Sequence, residues 1–212
     1  LACGGDVSVA RLQQAYHQRN FPWFSPGDPL LWWSPGTRAV FRPGSLHAGR
    51  SLRKDWQKHQ YHFSCDQAFP AVIAACAAPR ARQRGTWISD DIQQAYIALH
   101  HAGVAHSLEV WQQDRLVGGL YGVQVGALFC GESMFNRIPD MAKLALIALQ
   151  THLRHAGQGW IDCQMPNPFL LQLGAQPLAR DEYIKLLTNQ RQQQLPSAHW
   201  HARVLLPDQI DD

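Results

Sequence analysis

"HSLEVWQ" (106–112), "RLVGGLYGVQ" (115–124) and "GALFCGES" (126–133) follow one another almost without interruption. Each run is rich in aliphatic and aromatic residues and is bounded by residues that favour turns. Together they predict three consecutive strands joined by short turns, an antiparallel meander. Working outward, Asp140 predicts the N-cap of a strongly apolar helix through Leu153 that stops before Gly157. "WIDCQ" (160–164) then predicts a short strand halted by Pro166-Asn167-Pro168. A polar-faced helix near 180–194 and a last strand in "HARVLLP" (201–207) complete that side of the chain. Upstream, helices are predicted over 66–78 and over 89–101, the latter with acids in its first turn and Gly103 just past its end. An earlier helix follows Ser8, with Val9, Leu12 and Tyr16 on one face. Strands, a helix, one more strand and a helix predict an α+β layout.

"FPWFSPGDPLLWWSPG" (21–36) holds four prolines and three tryptophans. Proline removes ladder donors and breaks helices, so this stretch predicts a rigid aromatic loop with no regular helix or central strand. It either packs as a linker or presents aromatic faces to a ligand. It divides the chain into a small N-terminal lobe, 1–36, and a main domain, 37–212.

The formal charge of +3 is mild, but its distribution is not. Six basic residues, Arg38, Arg42, Arg50, Arg53, Lys54 and Lys58, stand against Asp55 alone, a local net charge of +5. Arg80, Arg82 and Arg84 form a second run. Such clusters attract phosphate backbones or simply make a solvated face. The five cysteines show no CxxC spacing, and the eleven histidines show no HExxH, so neither a disulfide framework nor a metal site is indicated. No apolar stretch approaches a membrane span and no signal peptide is evident, which fits a reduced cytoplasmic compartment. The chain opens at Leu1 without a methionine, which predicts a further natural N-terminal segment.

Chemistry points first to "WIDCQMPNP" (160–168). In an extended strand Asp162 and Gln164 share one face and Cys163 takes the other. No histidine or helix N-terminus stands beside Cys163 in the sequence, so it reads as a small core residue rather than a nucleophile. Two polar side chains on one face of an apolar strand need each other or a ligand; a structural pair at the Pro166 turn is the other reading. In "FCGESMF" (129–135), Glu132 lies at a strand end beside Gly131, where it can hold a ligand ammonium or cap the following turn. The serine-nucleophile pattern fails there, because Phe135 occupies the last glycine position. "RHAGQG" (154–159) matches a pyrophosphate-binding pattern of acetyltransferases, but here the helix precedes the strand, so its glycines read as a helix C-cap.

"GGDVS", "FPWFSPGDPLLWWSP", "SLHAGRS", "GTWI", "HSLEVW", "LVGGLYGV", "LFCGESMF" and "IDCQ" run in order along nearly the whole chain. In these stretches it resembles the bacterial leucyl/phenylalanyl-tRNA–protein transferases. The resemblance implies a GNAT-like fold, a mixed sheet flanked by helices with a small N-terminal lobe. It implies transfer of leucine or phenylalanine, with methionine as a further donor, from aminoacyl-tRNA to the α-amino group of a protein beginning with arginine or lysine. The tagged protein would enter N-degron degradation, and the enzyme would act as a cytoplasmic monomer with no cofactor or metal. Gln164 then resembles the group that accepts a hydrogen bond from the attacking amine, Asp162 the group that orients it, and Asn167 a neighbour of the same centre. Glu132 resembles the holder of the donor's α-ammonium, and Trp23 and Trp87 resemble faces for the terminal adenosine. Leu120, Gly131, Met134 and Ile161 resemble the lining of the side-chain pocket. Arg50, Arg53, Lys54 and Lys58 become candidate acceptor-stem contacts. Phe169, Gln172 and Leu149 depart from the family pattern and leave the donor preference open. An acetyl-CoA-dependent N-acetyltransferase and a non-catalytic tRNA-binding module are the alternatives.

Overall fold

Glycine at 118 lets a helix lie directly on the sheet: a Cβ there would meet Met141 Cβ at 2.3 Å. The computed structural model describes residues 2–25, 27–46, 49–79, 86–196 and 198–205, apart from the side chains of residues 51, 53, 55, 57 and 58. The elements run β1 (Ala2–Cys3), α1 (Val9–His17), β2 (Phe21–Pro22), β3 (Leu31–Trp33), β4 (Thr37–Phe41), α2 (Arg50–His59), β5 (His62–Cys65) and α3 (Phe69–Ala77). They continue with α4 (Asp90–His101), β6 (Ala105–Gln112), β7 (Arg115–Val125), β8 (Leu128–Asn136), α5 (Met141–His155) and β9 (Trp160–Asp162). Last come α6 (Pro168–Gln172), β10 (Gln176–Ala179), α7 (Arg180–Gln190) and β11 (Arg203–Leu205).

The large sheet has the order β10-β4-β9-β8-β7-β6-β5-β11, and the predicted meander β6-β7-β8 forms its centre. Among the described residues only β8 and β9 pair in parallel. Strand alternation sorts the core into two layers. Ala39, Phe41, Leu108 and Phe129 face α5, Leu52 of α2 and Leu170 of α6. Val40, Leu128, Cys130 and Val123 face Leu12 of α1, Val72 of α3, Tyr96 of α4 and Leu187 of α7. Helix α5 is buried almost all round, from Met141 to Leu153. Truncating one of its core leucines to alanine costs about 2–5 kcal/mol.

Ser8, the predicted cap, accepts from Arg11 N, and Ser89, read from sequence as the first helical residue, caps α4 by accepting from Ile92 N. The helix predicted over 66–78 begins only at Phe69, because Asp66 turns left-handed (φ 55°) and its carboxylate accepts from Ser107 N instead. Asp140 precedes α5 but makes no side-chain cap; it too is left-handed, and Asn136 Oδ1 accepts from Ala142 N at 2.6 Å in its stead. The 21–36 stretch, expected to hold no central strand, contains two short strands, and β3 is the central one of a three-stranded sheet with β1 and β2; its residues Leu31–Trp33 include no proline, so its donors are intact. Pro22 sits in an edge strand, where a missing donor is tolerated. After α5, Gly157 N and Gln158 N donate to Arg154 O and Leu153 O, so these amides close the helix rather than face a phosphate. No described helix is long and apolar enough to cross a membrane.

Candidate active site

The parallel ladder between β8 and β9 stops at Cys130–Asp162. Both then leave regular geometry. On β8, Tyr121 pairs with Ser133 and Gly122 with Gly131, so Glu132 is the extra residue of a β-bulge. A bulge re-aims its side chain, and Gly122 permits it: a Cβ there would lie 2.3 Å from Cys130 O. On the β9 side, Cys163 N donates to Ala39 O and Ala39 N donates to Gln164 O. Two residues thus face one, and Gln164 adopts φ 63°, a sparsely populated conformation for glutamine.

These two irregularities bring Glu132 and Gln164 together: Gln164 Nε2 donates to Glu132 Oε1 at 2.6 Å. The other oxygen of Glu132 accepts from Tyr96 Oη at 3.2 Å, and Tyr96 Oη lies 2.5 Å from Tyr16 Oη. Burial pushes the Glu132 carboxyl up to about 7; hydrogen bonds from Tyr16 and Tyr96 pull it down, the Asp162 charge raises it and Arg38 lowers it. Asp162 is fully buried and does not line the cavity beside Glu132. Arg38 Nε donates to its Oδ1 at 3.1 Å, and Arg38 Nη2 and Tyr183 Oη (2.7 Å) donate to Oδ2. Gln164 N donates to Asp162 Oδ1 at 2.8 Å, which fixes the backbone of the left-handed residue. Burial pushes the thiols of Cys130 and Cys163 well up, so both stay protonated and poorly nucleophilic.

A cavity of about 230 Å³ opens beside Glu132. It is lined by Leu120, Gly131, Met134, Ile161 and Asn167 from the sequence-based set, together with Tyr121, Phe129, Leu146, Leu149, Cys163 and Leu170. Asn167 Oδ1 is engaged as the N-cap of α6, accepting from Leu170 N at 3.0 Å. Trp23 and Trp87 do not line this cavity. Trp23 is 40% exposed and pairs with Trp33 at 5.9 Å between ring centroids, while Trp87 packs partly against the α3–α4 layer. Arg50 and Lys54 are exposed on α2, whereas the side chains of Arg53 and Lys58 and the run Arg80, Arg82, Arg84 lie outside the described residues. Arg38, counted in the basic cluster by sequence, is 2% exposed and belongs to the interior.

Sequence reading missed Arg38, Tyr16, Tyr96, Tyr121 and Tyr183. Tyr16 and Tyr96 sit on apolar helix faces, where periodicity marks them as core and says nothing of their hydroxyls. The histidines are less scattered than their spacing suggests. Asp66, His100 and His106 converge, with His106 Nδ1 2.7 Å from Asp66 Oδ2 and His100 Nδ1 2.9 Å from Ala105 O, a network already closed by hydrogen bonds.

A family model described as leucyl/phenylalanyl-tRNA protein transferase matches residues 40–188, and one described as the N-terminal domain of that transferase matches residues 5–36. The leucyl/phenylalanyl-tRNA--protein transferase of Shewanella pealeana is 53% identical over 191 residues, covering 90% of this chain and 81% of its own. That of Pectobacterium carotovorum is 50% identical over 210 residues, covering 99% and 87%. Among solved structures, L-PGS from Bacillus licheniformis is 11% identical with a TM-score of 0.43, over 89% of this chain and 60% of that one.

Proposed function

The chain belongs to the leucyl/phenylalanyl-tRNA protein transferase family, and from that premise we propose that it moves leucine or phenylalanine from aminoacyl-tRNA to the α-amino group of proteins beginning with arginine or lysine. Methionine is a further donor in this reading, the product is marked for degradation, and the enzyme works as a cytoplasmic monomer. The mixed sheet flanked by helices favours a GNAT-like catalytic domain. The boundary at 36/37 is supported by the small sheet ending at Trp33 and the large one beginning at Thr37.

The observation that carries the chemistry is the orientation of Gln164. Glu132 holds its Nε2, so its Oε1 is the end left to accept from an incoming amine. The acceptor α-amine, with a pKa of about 7.7–8.0, is already partly neutral near pH 7 and needs orientation more than a strong base. Its nitrogen attacks the ester carbonyl carbon; the C–N bond forms, the bond to the ribose oxygen breaks, and the proton lost by the amine ends on the released 3′ oxygen. Glu132, as carboxylate, pairs with the α-ammonium of the donor amino acid. Asp162 acts as a positioning residue through Gln164 N and does not touch substrate. The cavity takes the apolar side chain, and a rigid β-branched side chain fits its mouth poorly. Trp23 and Trp87 offer stacking faces to the terminal adenosine.

The test is transfer of labelled leucine or phenylalanine from charged tRNA to a peptide beginning with arginine. Wild type transfers, and Gln164→Ala loses roughly 100-fold in kcat with the fold intact, the size of one lost positioning group. Failure of the wild-type chain with both donors sinks the reading.

A further inference from the structure

A second cleft, about 370 Å³ in volume, lies between the C-terminal end of α1 and the outer face of α7. Arg19, Arg180, Arg191, His17, Ser34 and Thr188 are among the residues that line it, and no acidic residue is among them. Arg19 is half-buried and holds φ 64°, a conformation rare for arginine, fixed by its amide donating to Tyr16 O at 2.9 Å. Arg180 Nη2 donates to Ser34 O at 2.5 Å and to Ser34 Oγ at 2.8 Å, and Arg191 Nη1 reaches His17 O at 3.5 Å. The acceptors of Arg180 and Arg191 are neutral, and among the described lining residues no carboxylate balances the three cations. Guanidiniums gathered in one concave site repel each other until an anion enters, and their planar forks match phosphate oxygens.

On the functional reading above, only one substrate carries that charge. The acceptor brings an amine and a basic side chain, which three guanidiniums repel. The donor is a polyanion. Ser34 directly follows Trp33, whose ring faces Trp23, so the cleft continues the surface on which the terminal adenosine is proposed to rest. We propose that Arg19, Arg180 and Arg191 bind a backbone phosphodiester of the donor tRNA. The cleft is separate from the basic residues of α2, because α1 and α7 pack against one core layer of the sheet and α2 against the other. The tRNA is then held by phosphate contacts on both sides of the catalytic opening.

The test uses the full chain and the double variant Arg19→Asn/Arg191→Gln; asparagine suits the left-handed backbone at 19. Binding of uncharged tRNA is measured by fluorescence anisotropy from low to physiological salt. The variant is expected to bind about tenfold more weakly at low salt, the loss of about one charge-assisted hydrogen bond. Its slope of log affinity against log salt is expected to shrink by about 0.7–0.9, the release of counterions from one phosphate. The ratio of kcat/KM on charged tRNA to that on a minimal aminoacyl-adenosine donor is expected to fall by a similar factor, and Arg191→Lys in the single-site series to keep the salt slope. Unchanged affinity and slope overturn the proposal, and so does an equal loss on both donors, which would mark a disturbed fold. Failure of the wild type to transfer from charged tRNA strikes the functional reading instead, since the binding arms do not depend on turnover.

Discussion

Replacing Arg38 by methionine leaves the Asp162 carboxylate inside the protein without its cation. Both side chains are almost wholly buried, at 3% and 0% exposure. Removing one partner of such a pair costs about 3–5 kcal/mol, because the remaining charge cannot regain its hydration. The guanidinium also lies over the rings of Phe21 and Tyr183, at 4.9 and 4.6 Å from their centroids, contacts that methionine only partly replaces. For a chain of this length a loss of 1 kcal/mol lowers Tm by about 2–4 °C, so Arg38→Met should lower it by roughly 6–20 °C. Asp162→Leu should do the same from the other side, stranding the arginine. The double variant Arg38→Met/Asp162→Leu removes both charges and fills their space with apolar groups. Its stability should return to within about 2 kcal/mol of wild type. Activity should not return. Gln164 N loses its acceptor at 2.8 Å, and with it the tie that holds the residue at φ 63°. Misplacing a reacting group by about 1 Å costs on the order of 100-fold. The assays are thermal unfolding by circular dichroism and leucyl transfer to an arginine peptide. A double variant that recovers both Tm and kcat/KM would refute the positioning role and reduce the pair to a structural staple.

Glu132 must be ionised to hold an ammonium, and its pKa is about 7, so kcat/KM for the charged donor should rise with pH through about 7. Tyr96→Phe removes a hydrogen bond that favours the carboxylate and should move that inflection upward; an inflection left in place removes Glu132 as its source. Leu149→Phe narrows the cavity and should favour leucine over phenylalanine as donor by roughly tenfold, at about 1–3 kcal/mol of stability; competition between the two charged tRNAs reads the ratio. Glu109 is fully buried, accepts from Ser107 Oγ at 2.5 Å and is pushed by burial from 4.5 to about 7. A raised folded-state pKa gives stability that is complete below about 4.5 and lost as pH rises through about 7, here about 3 kcal/mol. Glu109→Gln should therefore flatten Tm between pH 5 and 8, and an unchanged slope would assign the pH dependence elsewhere.

The elements readable from sequence are those whose reasons are local. The meander β6-β7-β8 follows from contiguous apolar runs and short turns, and α1 and α4 from a serine cap and one apolar face. Short β4, β5 and β10 carry little pattern of their own and exist because the sheet supplies partners, on both sides of β4 and β5 and on one side of the edge strand β10. Caps mislead where a neighbour competes: the Asp140 position looks like a cap, but Asn136 reaches Ala142 N first. The exclusion of Cys163 as nucleophile was legible, since a thiol without a basic neighbour in a core setting stays protonated.

The sequence names Asp162, Gln164 and Glu132 but not the geometry that joins Gln164 to Glu132, and that gap has a physical cause. Alternation expects Asp162 and Gln164 on one face of a strand running to 164. The strand ends at Asp162, and Gln164 turns left-handed. Had the strand continued in register, Gln164 would have stayed beside Asp162, which Arg38, 124 residues away, already saturates. The left-handed turn frees the side chain to cross the gap to Glu132, and the bulge on β8 turns Glu132 to receive it. Neither distortion is encoded by the residue that undergoes it: glutamine does not favour φ 63°, and glutamate does not favour a bulge. They are held by tertiary contacts: Asp162 ties down the backbone of Gln164, and the absence of a side chain at Gly122 leaves room for the bulge. The strain therefore sits where the chemistry is proposed, and a side chain added at Gly122, whose Cβ would collide with Cys130 O, should displace Glu132 before it disturbs the rest of the sheet.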